Sequence, residues 1–183
     1  MTEPSLQDDA ILLRPYSAVD IDELYLAARE SIHEVGRWLP WCHPQYTRAE
    51  AEAWVLSRAK AWKNAQEYSF VIAQLGSGRF LGGCGLNQIE PQARRANLGY
   101  WMRTSATGHG YATRAARLLA RWGALHLGLE RMEIVAAVGN VGSQRVALKA
   151  GATQEGIARS RLRTQDVQHD AVVFSIVRQD ILG

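Results

Sequence analysis

Apolar and polar positions recur along the chain with two periods, near 2 and near 3.6, and these mark out its elements. Ile11–Tyr16 has strand character, led in by acidic residues and ended by Pro15 and Ser17. Ser17-Ala-Val-Asp20 carries an N-cap signal and predicts a helix to about Glu30, with Leu24, Leu26 and Ala27 supplying apolar surface. A second helical piece covers Ser31–Leu39, and Pro40 and Pro44 make Trp41–Tyr46 a non-helical link. Thr47-Arg-Ala-Glu50 is a capping box opening a helix to about Asn64, with Ala51, Trp54, Val55, Ala59 and Trp62 at helical spacing. Strand patterns follow at Tyr68–Leu75 and Arg79–Glu90, turned by Gly76-Ser-Gly78, and at Arg94–Met102. Gly82, Gly83 and Gly85 imply a bulge or a close backbone approach. A helix from Gly110 to about Leu127 is expected to bury Leu118, Trp122, Leu125 and Leu129 and to turn Arg114, Arg117 and Arg121 outward. A buried strand at Arg131–Val138, a helix at Asn140–Ala150 stopped by Gly151, and strands at Ala152–Leu162 and Val167–Arg178 complete the chain. The order β-α-α-α-β-β-β-α-β-α-β-β predicts one α/β (α+β) domain over residues 1–183. Its sheet is mixed, mostly antiparallel and twisted, with about six to seven strands flanked by helices.

Composition agrees with a single globular unit: 183 residues, 47% hydrophobic and 21% charged. Cys42 and Cys84 have no metal-ligand spacing, and their scarcity suits a reducing compartment. The first residues show no signal-peptide pattern, and no apolar run approaches the roughly 18 residues that span a bilayer, so a cytoplasmic location without membrane contact is expected. The formal charge of +3 is mild. Arginine clusters at 94/95, 114/117/121 and 159/161/163 read mainly as solvated faces, and no nucleic-acid recognition motif accompanies them.

The most informative stretch runs from Tyr100 to Thr113, where a strand gives way to a turn carrying Gly108 and Gly110 and then to a long helix. A bare backbone at a helix N-terminus is an anion site, because the first N–H groups have no intrahelical partner. Two common nucleotide motifs fail here. The turn has no lysine, as a Walker A loop requires, and Thr113 stands where a dinucleotide fingerprint has its third glycine. Glu130 also precedes the next strand instead of following it, as a ribose-binding acid would.

Thr107-Gly-His-Gly-Tyr-Ala112 resembles the acetyl-CoA signature of the GNAT N-acetyltransferases, Gln/Arg-x-x-Gly-x-Gly/Ala. Gly110 and Ala112 match it, and Thr107 replaces the Gln or Arg. More of the chain resembles the RimJ/RimL-like branch, which acetylates protein N-termini. The matching stretches are Trp38-Leu-Pro-Trp41, Ile89-Glu-Pro91, Leu98-Gly-Tyr-Trp-Met102, Gly108-His-Gly-Tyr-Ala-Thr-Arg-Ala115, Asn140-Val-Gly-Ser143, Gly151-Ala-Thr-Gln-Glu-Gly156 and His169-Asp170.

The resemblance implies a GNAT-like domain without a metal, in which an amine attacks the thioester of acetyl-CoA directly. The amides of Gly108, His109, Gly110, Tyr111, Ala112 and Thr113 would cradle the pyrophosphate. The backbone of Met102, Arg103 and Thr104 would pair with pantetheine as an added strand, and an N–H near Met102 would face the thioester oxygen. Asn140 would reach a pantetheine amide. The position seven residues on, often a tyrosine acid, is Ala147. Ser143 would hydrogen-bond the departing sulfur; it reads also as a helix cap. The branch's carboxylate position is Leu162, which leaves Glu90 as the candidate base; its alternative reading is a solvated strand end. Trp38, Trp41 and Tyr46 read as acceptor-site lining or as core.

Cys42-His43 and His169-Asp170 point apart on extended chain and do not suggest catalytic pairs. An α-amino group, with a pKa of about 8 against about 10.4 for lysine, needs less help from a base. The resemblance implies a protein N-terminus as the acceptor, such as that of a ribosomal protein, on a monomeric or homodimeric enzyme, and the amine pKa favours it slightly. A small amine (polyamine, amino acid analogue or antibiotic) and a non-catalytic acyl-CoA-binding module are the alternatives.

Overall fold

The computed structural model describes residues 4–164 and 166–183. Eight strands form one sheet: β1 (Leu6–Gln7), β2 (Ile11–Pro15), β3 (Tyr68–Gln74), β4 (Phe80–Glu90), β5 (Arg95–Met102), β6 (Arg131–Ala137), β7 (Thr153–Thr164) and β8 (Val167–Val177). Their order is β1-β2-β3-β4-β5-β6-β8-β7, antiparallel throughout except for β5 and β6, which are parallel. The helices are α1 (Ile21–Glu30), α2 (Ile32–Val35), α3 (Arg48–Lys63), α4 (Tyr111–His126), α5 (Val141–Ala150) and a terminal α6 (Arg178–Leu182).

Period-2 alternation sends successive residues of β3 into two cores. Phe70 and Ile72 join Leu98, Leu119, Met132 and Phe174 beneath α4, whereas Val71 and Ala73 join Tyr16, Leu24, Val55 and Phe80 beneath α1 and α3. The capping box of α3 forms as expected: Glu50 N–H donates to Thr47 Oγ1, and Thr47 N–H donates to the Glu50 carboxylate. The close approach expected at the β4 glycines is also present. A Cβ at Gly82 would lie 2.2 Å from the Trp101 carbonyl oxygen, and one at Gly83 would lie 2.3 Å from Tyr16 Oη.

Three expectations need correction. The sheet has eight strands, not six to seven, because the two residues of β1 pair with Leu12 and Leu13 through too short a segment to show a period. The chain also leaves the sheet at Val177 and closes on α6, where Val177 N–H donates to Asp180. Along α4, Trp122 and the following Leu129 are buried as expected and Leu118 packs partly buried on the core, but Leu125 is 41% exposed, and Ala115, Ala116, Leu119, Ala120 and Ala124 complete the buried face. Most of that face is alanine, which a pattern marked by the larger apolar residues passes over.

Leu119→Ala is therefore expected to cost about 3 kcal/mol in urea unfolding with an unchanged m-value, while Leu125→Ala changes stability by no more than about 0.5 kcal/mol.

Candidate active site

The ladder between β5 and β6 stops early. Only Arg95, Ala96 and Asn97 face Arg131, Met132 and Glu133; beyond them β5 continues with β4 to Met102 and β6 continues with β8 to Ala137. The strands diverge into a wedge, and the β5 edge from Leu98 to Met102 faces no strand on that side. Guanidinium groups stitch the closed end. Arg95 binds Glu90 and Glu133, and Arg131 binds Glu133 and Glu155. Hydrogen bonds from Arg131 and from the Ser175 hydroxyl bring the Glu155 carboxyl down to about 2.

A cavity of about 1460 Å³ occupies the open end. Tyr100 packs toward the α4 side of the sheet and Trp101 toward the α1/α3 side, so the cavity lined by both reaches both faces. On the α4 side it meets the glycine turn. Gly108 and Gly110 adopt φ of +82° and +80°, a left-handed conformation that favours glycine, and no atom lies within 4 Å of where a Cβ would stand. Gly110 caps α4 without a side chain, which leaves the N–H groups of Tyr111, Ala112 and Thr113 without helical acceptors. The backbone before the turn is fixed on α1: Thr104 N–H donates to Ser31 Oγ, Ser105 N–H donates to Glu30, and Arg103 binds Glu30.

On the other bank of the wedge α5 begins at Asn140, whose Oδ1 accepts from Ser143 N–H at 3.1 Å. The cap is Asn140, and the Ser143 hydroxyl is free of that duty. Tyr100 Oη donates to the Ser143 carbonyl at 2.9 Å and lies 3.1 Å from Ser143 Oγ. Burial pushes the Tyr100 phenol up to about 12, so it stays protonated.

An unpaired strand edge beside a bare helix N-terminus suits a ligand with an amide-bearing arm and a phosphate group. Residues 10–153 match the sequence model described as the acetyltransferase (GNAT) domain. The chain belongs to the GNAT acetyltransferase family. A Bacillus subtilis (strain 168) protein, YdaF, provisionally named a ribosomal N-acetyltransferase, is 28% identical over 94% of this chain and 92% of its own length. The ribosomal-protein-serine acetyltransferase of Escherichia coli (strain K12) is 23% identical over 96% and 97%. A RimL structure described as a ribosomal L7/L12 α-N-protein acetyltransferase with coenzyme A superposes with a TM-score of 0.86 at 21% identity, over 95% of this chain and 98% of that one. These likenesses support the RimJ/RimL-like branch. As a GNAT member the chain is an acetyl-CoA-dependent N-acetyltransferase.

Within this GNAT fold the expected site residues separate. Met102, Gly108, Gly110, Tyr111, Ala112, Thr113, Asn140 and Ser143 line the cavity; Arg103, Thr104 and His109 do not. His109 lies in an adjoining cleft with Arg114, Arg117 and Lys149. Both backbone groups of Thr104 are engaged, its N–H by Ser31 and its carbonyl by Thr107, so the open edge ends at Met102. Glu90 lies outside the cavity, where hydrogen bonds from Arg95 lower its pKa. Trp38, Trp41 and Tyr46 do line it, joined by Tyr16, Trp54 and Trp101, which the sequence reading passed over. Cys42 is buried with its thiol on the Ala28 carbonyl, and burial raises it to about 11. His169 bonds Thr164 while Asp170 accepts from Ser160 N–H, so the two serve separate contacts.

Burial opposes the charge on Glu30, but hydrogen bonds from Arg103 and Ser105 outweigh it and bring the carboxyl to about 2. A depressed pKa stabilises the fold above the ordinary value of 4.5, and the contribution is lost as pH falls from there toward about 2. Glu30→Gln should lose stability at pH 7 and flatten the acid limb of a Tm-versus-pH curve; an unchanged limb would contradict this role.

Proposed function

We propose that the protein acetylates the α-amino group of a polypeptide N-terminus. The observation that carries this reading is the state of the acids around the cavity. Three carboxylates line it among the described residues, and each is already committed. Glu34 accepts from the Thr104 hydroxyl, Glu50 caps α3 and binds His43, and Glu67 binds Arg58 and Ser69. With each lining carboxylate already accepting hydrogen bonds, and only the imidazoles of His33 and His43 beside them, the site favours an amine that is partly neutral at physiological pH. An α-amine, with a pKa of about 8, meets that need better than a lysine at about 10.4. The ribosomal-protein acetyltransferase names of two relatives point the same way.

In this reading acetyl-CoA enters on the α4 side and the acceptor on the aromatic side. The turn amides from Gly108 to Thr113 hold the pyrophosphate, with Arg117 and Lys149 beside them. The open β5 edge from Leu98 to Met102 pairs with pantetheine, and a backbone N–H near Met102 meets the thioester oxygen as charge grows there. Asn140 adds a side-chain amide to the pantetheine arm. Ser143, in the first turn of α5, donates to the departing sulfur, and the positive helix end favours the thiolate. Glu90 has no part in it.

Thiol release from acetyl-CoA, measured with N-terminal peptides, N-capped lysine peptides and polyamines, tests the reading. Free N-termini should be acetylated fastest, with the rate levelling above about pH 8; preference for capped lysine peptides or polyamines would overturn it. Gly110→Glu should weaken acetyl-CoA binding by about two orders of magnitude, since it brings a negative charge and bulk to the anion site. Ser143→Ala should lower kcat by about 10- to 100-fold while the Kd for acetyl-CoA moves less than about threefold.

A further inference from the structure

Every polar group of Ser143 that faces the wedge is held. Its N–H is bound by Asn140 Oδ1, and its carbonyl and hydroxyl both meet Tyr100 Oη. A carbonyl can only accept, so at 2.9 Å the phenol donates to it. The 3.1 Å contact then has the Ser143 hydroxyl donating to the phenol oxygen. Tyr100 stands on β5, three residues past the last rung shared with β6, and spans the gap to α5 where no sheet hydrogen bond connects the two banks. It is the link between the open strand edge and the serine.

We propose that Tyr100 is a positioning residue for acetyl transfer, whose hydroxyl sets the orientation of Ser143 Oγ toward the departing sulfur. This rests on the sulfur-binding role given to Ser143 above. As the amine nitrogen bonds to the acetyl carbon, the C–S bond breaks and its electron pair leaves on sulfur. The Ser143 O–H turns from the phenol to that sulfur, and the phenol O–H turns to Ser143 Oγ. Both residues end with the protons they started with. The proton that finally neutralises the thiolate is the one the amine gives up to solvent.

The test is a double-mutant cycle on kcat with Tyr100→Phe, Ser143→Ala and the pair, accompanied by the Kd for acetyl-CoA and the Tm. Tyr100→Phe should lower kcat about tenfold, the loss of one hydrogen bond in the reacting state, with Kd changed less than about threefold. In the Ser143→Ala background the same change should add less than about twofold, because the residue it serves is gone. A full tenfold loss in both backgrounds, or none in either, would overturn the proposal. 3-Fluorotyrosine installed at position 100 keeps the hydroxyl and should recover most of the rate at a pH where its more acidic phenol stays protonated; failure there would overturn the role given to the hydroxyl. Acceptor-free hydrolysis of acetyl-CoA, followed in the same proteins, expels the same thiolate. Should no amine accelerate thiol release, the acceptor reading fails, and non-additivity in the hydrolysis rates still decides the role of Tyr100.

Discussion

The site depends on a ladder that ends. Three rungs join β5 to β6, and then the strands part while each keeps its other neighbour. Backbone groups in a strand interior normally find partners, so an edge left open inside a sheet is an invitation to an extended ligand. The parting also lets one cavity reach both faces, so two substrates can meet from opposite sides. The glycine turn, the start of α5 and the aromatic wall gain a common purpose only because the wedge brings them together.

Charge and side-chain bridging hold the wedge at its two ends. Arg95 and Arg131 bind the carboxylates of Glu90, Glu133 and Glu155 at the closed end, which ties β4, β5, β6 and β7. At the open end the banks meet through a phenol and a serine. Glu90 is thus engaged in joining strands, and its lowered pKa reflects that pairing. Behind the turn, Ser31 and Glu30 fix the backbone at Thr104 and Ser105. The turn proposed to hold the pyrophosphate thus follows an anchored stretch of backbone, which would reduce the ordering cost of binding.

Much of this was legible from residue order, and the failures have physical causes. Local signals carried well: the Thr47–Glu50 capping box, the Gly108/Gly110 turn, the Gly151 stop and the strand periods all mark the elements found. On α4 Trp122 was placed correctly, but Leu125 was not and the buried alanines went unmarked, because alanine counts little in an amphipathic pattern. The strand of Leu6–Gln7 is too short to carry a period. The wedge is a relation between strands whose paired residues lie 36 positions apart, and no local pattern encodes where pairing stops. Tyr100 was visible as a strand residue, but its partner lies 43 positions away on α5. Likewise Tyr16, just past β2, Trp54 on α3 and Trp101 on β5 reach the cavity from separate parts of the chain and share no motif.

Backbone hydrogen exchange with and without acetyl-CoA addresses the wedge directly. If the open edge receives the pantetheine arm, binding should slow exchange across Leu98–Met102 and the turn amides from Gly108 to Thr113, while the closed rungs at Arg95–Asn97 stay as they were. Saturating acetyl-CoA that left exchange at Leu98–Met102 unchanged, with protection appearing elsewhere, would contradict the account.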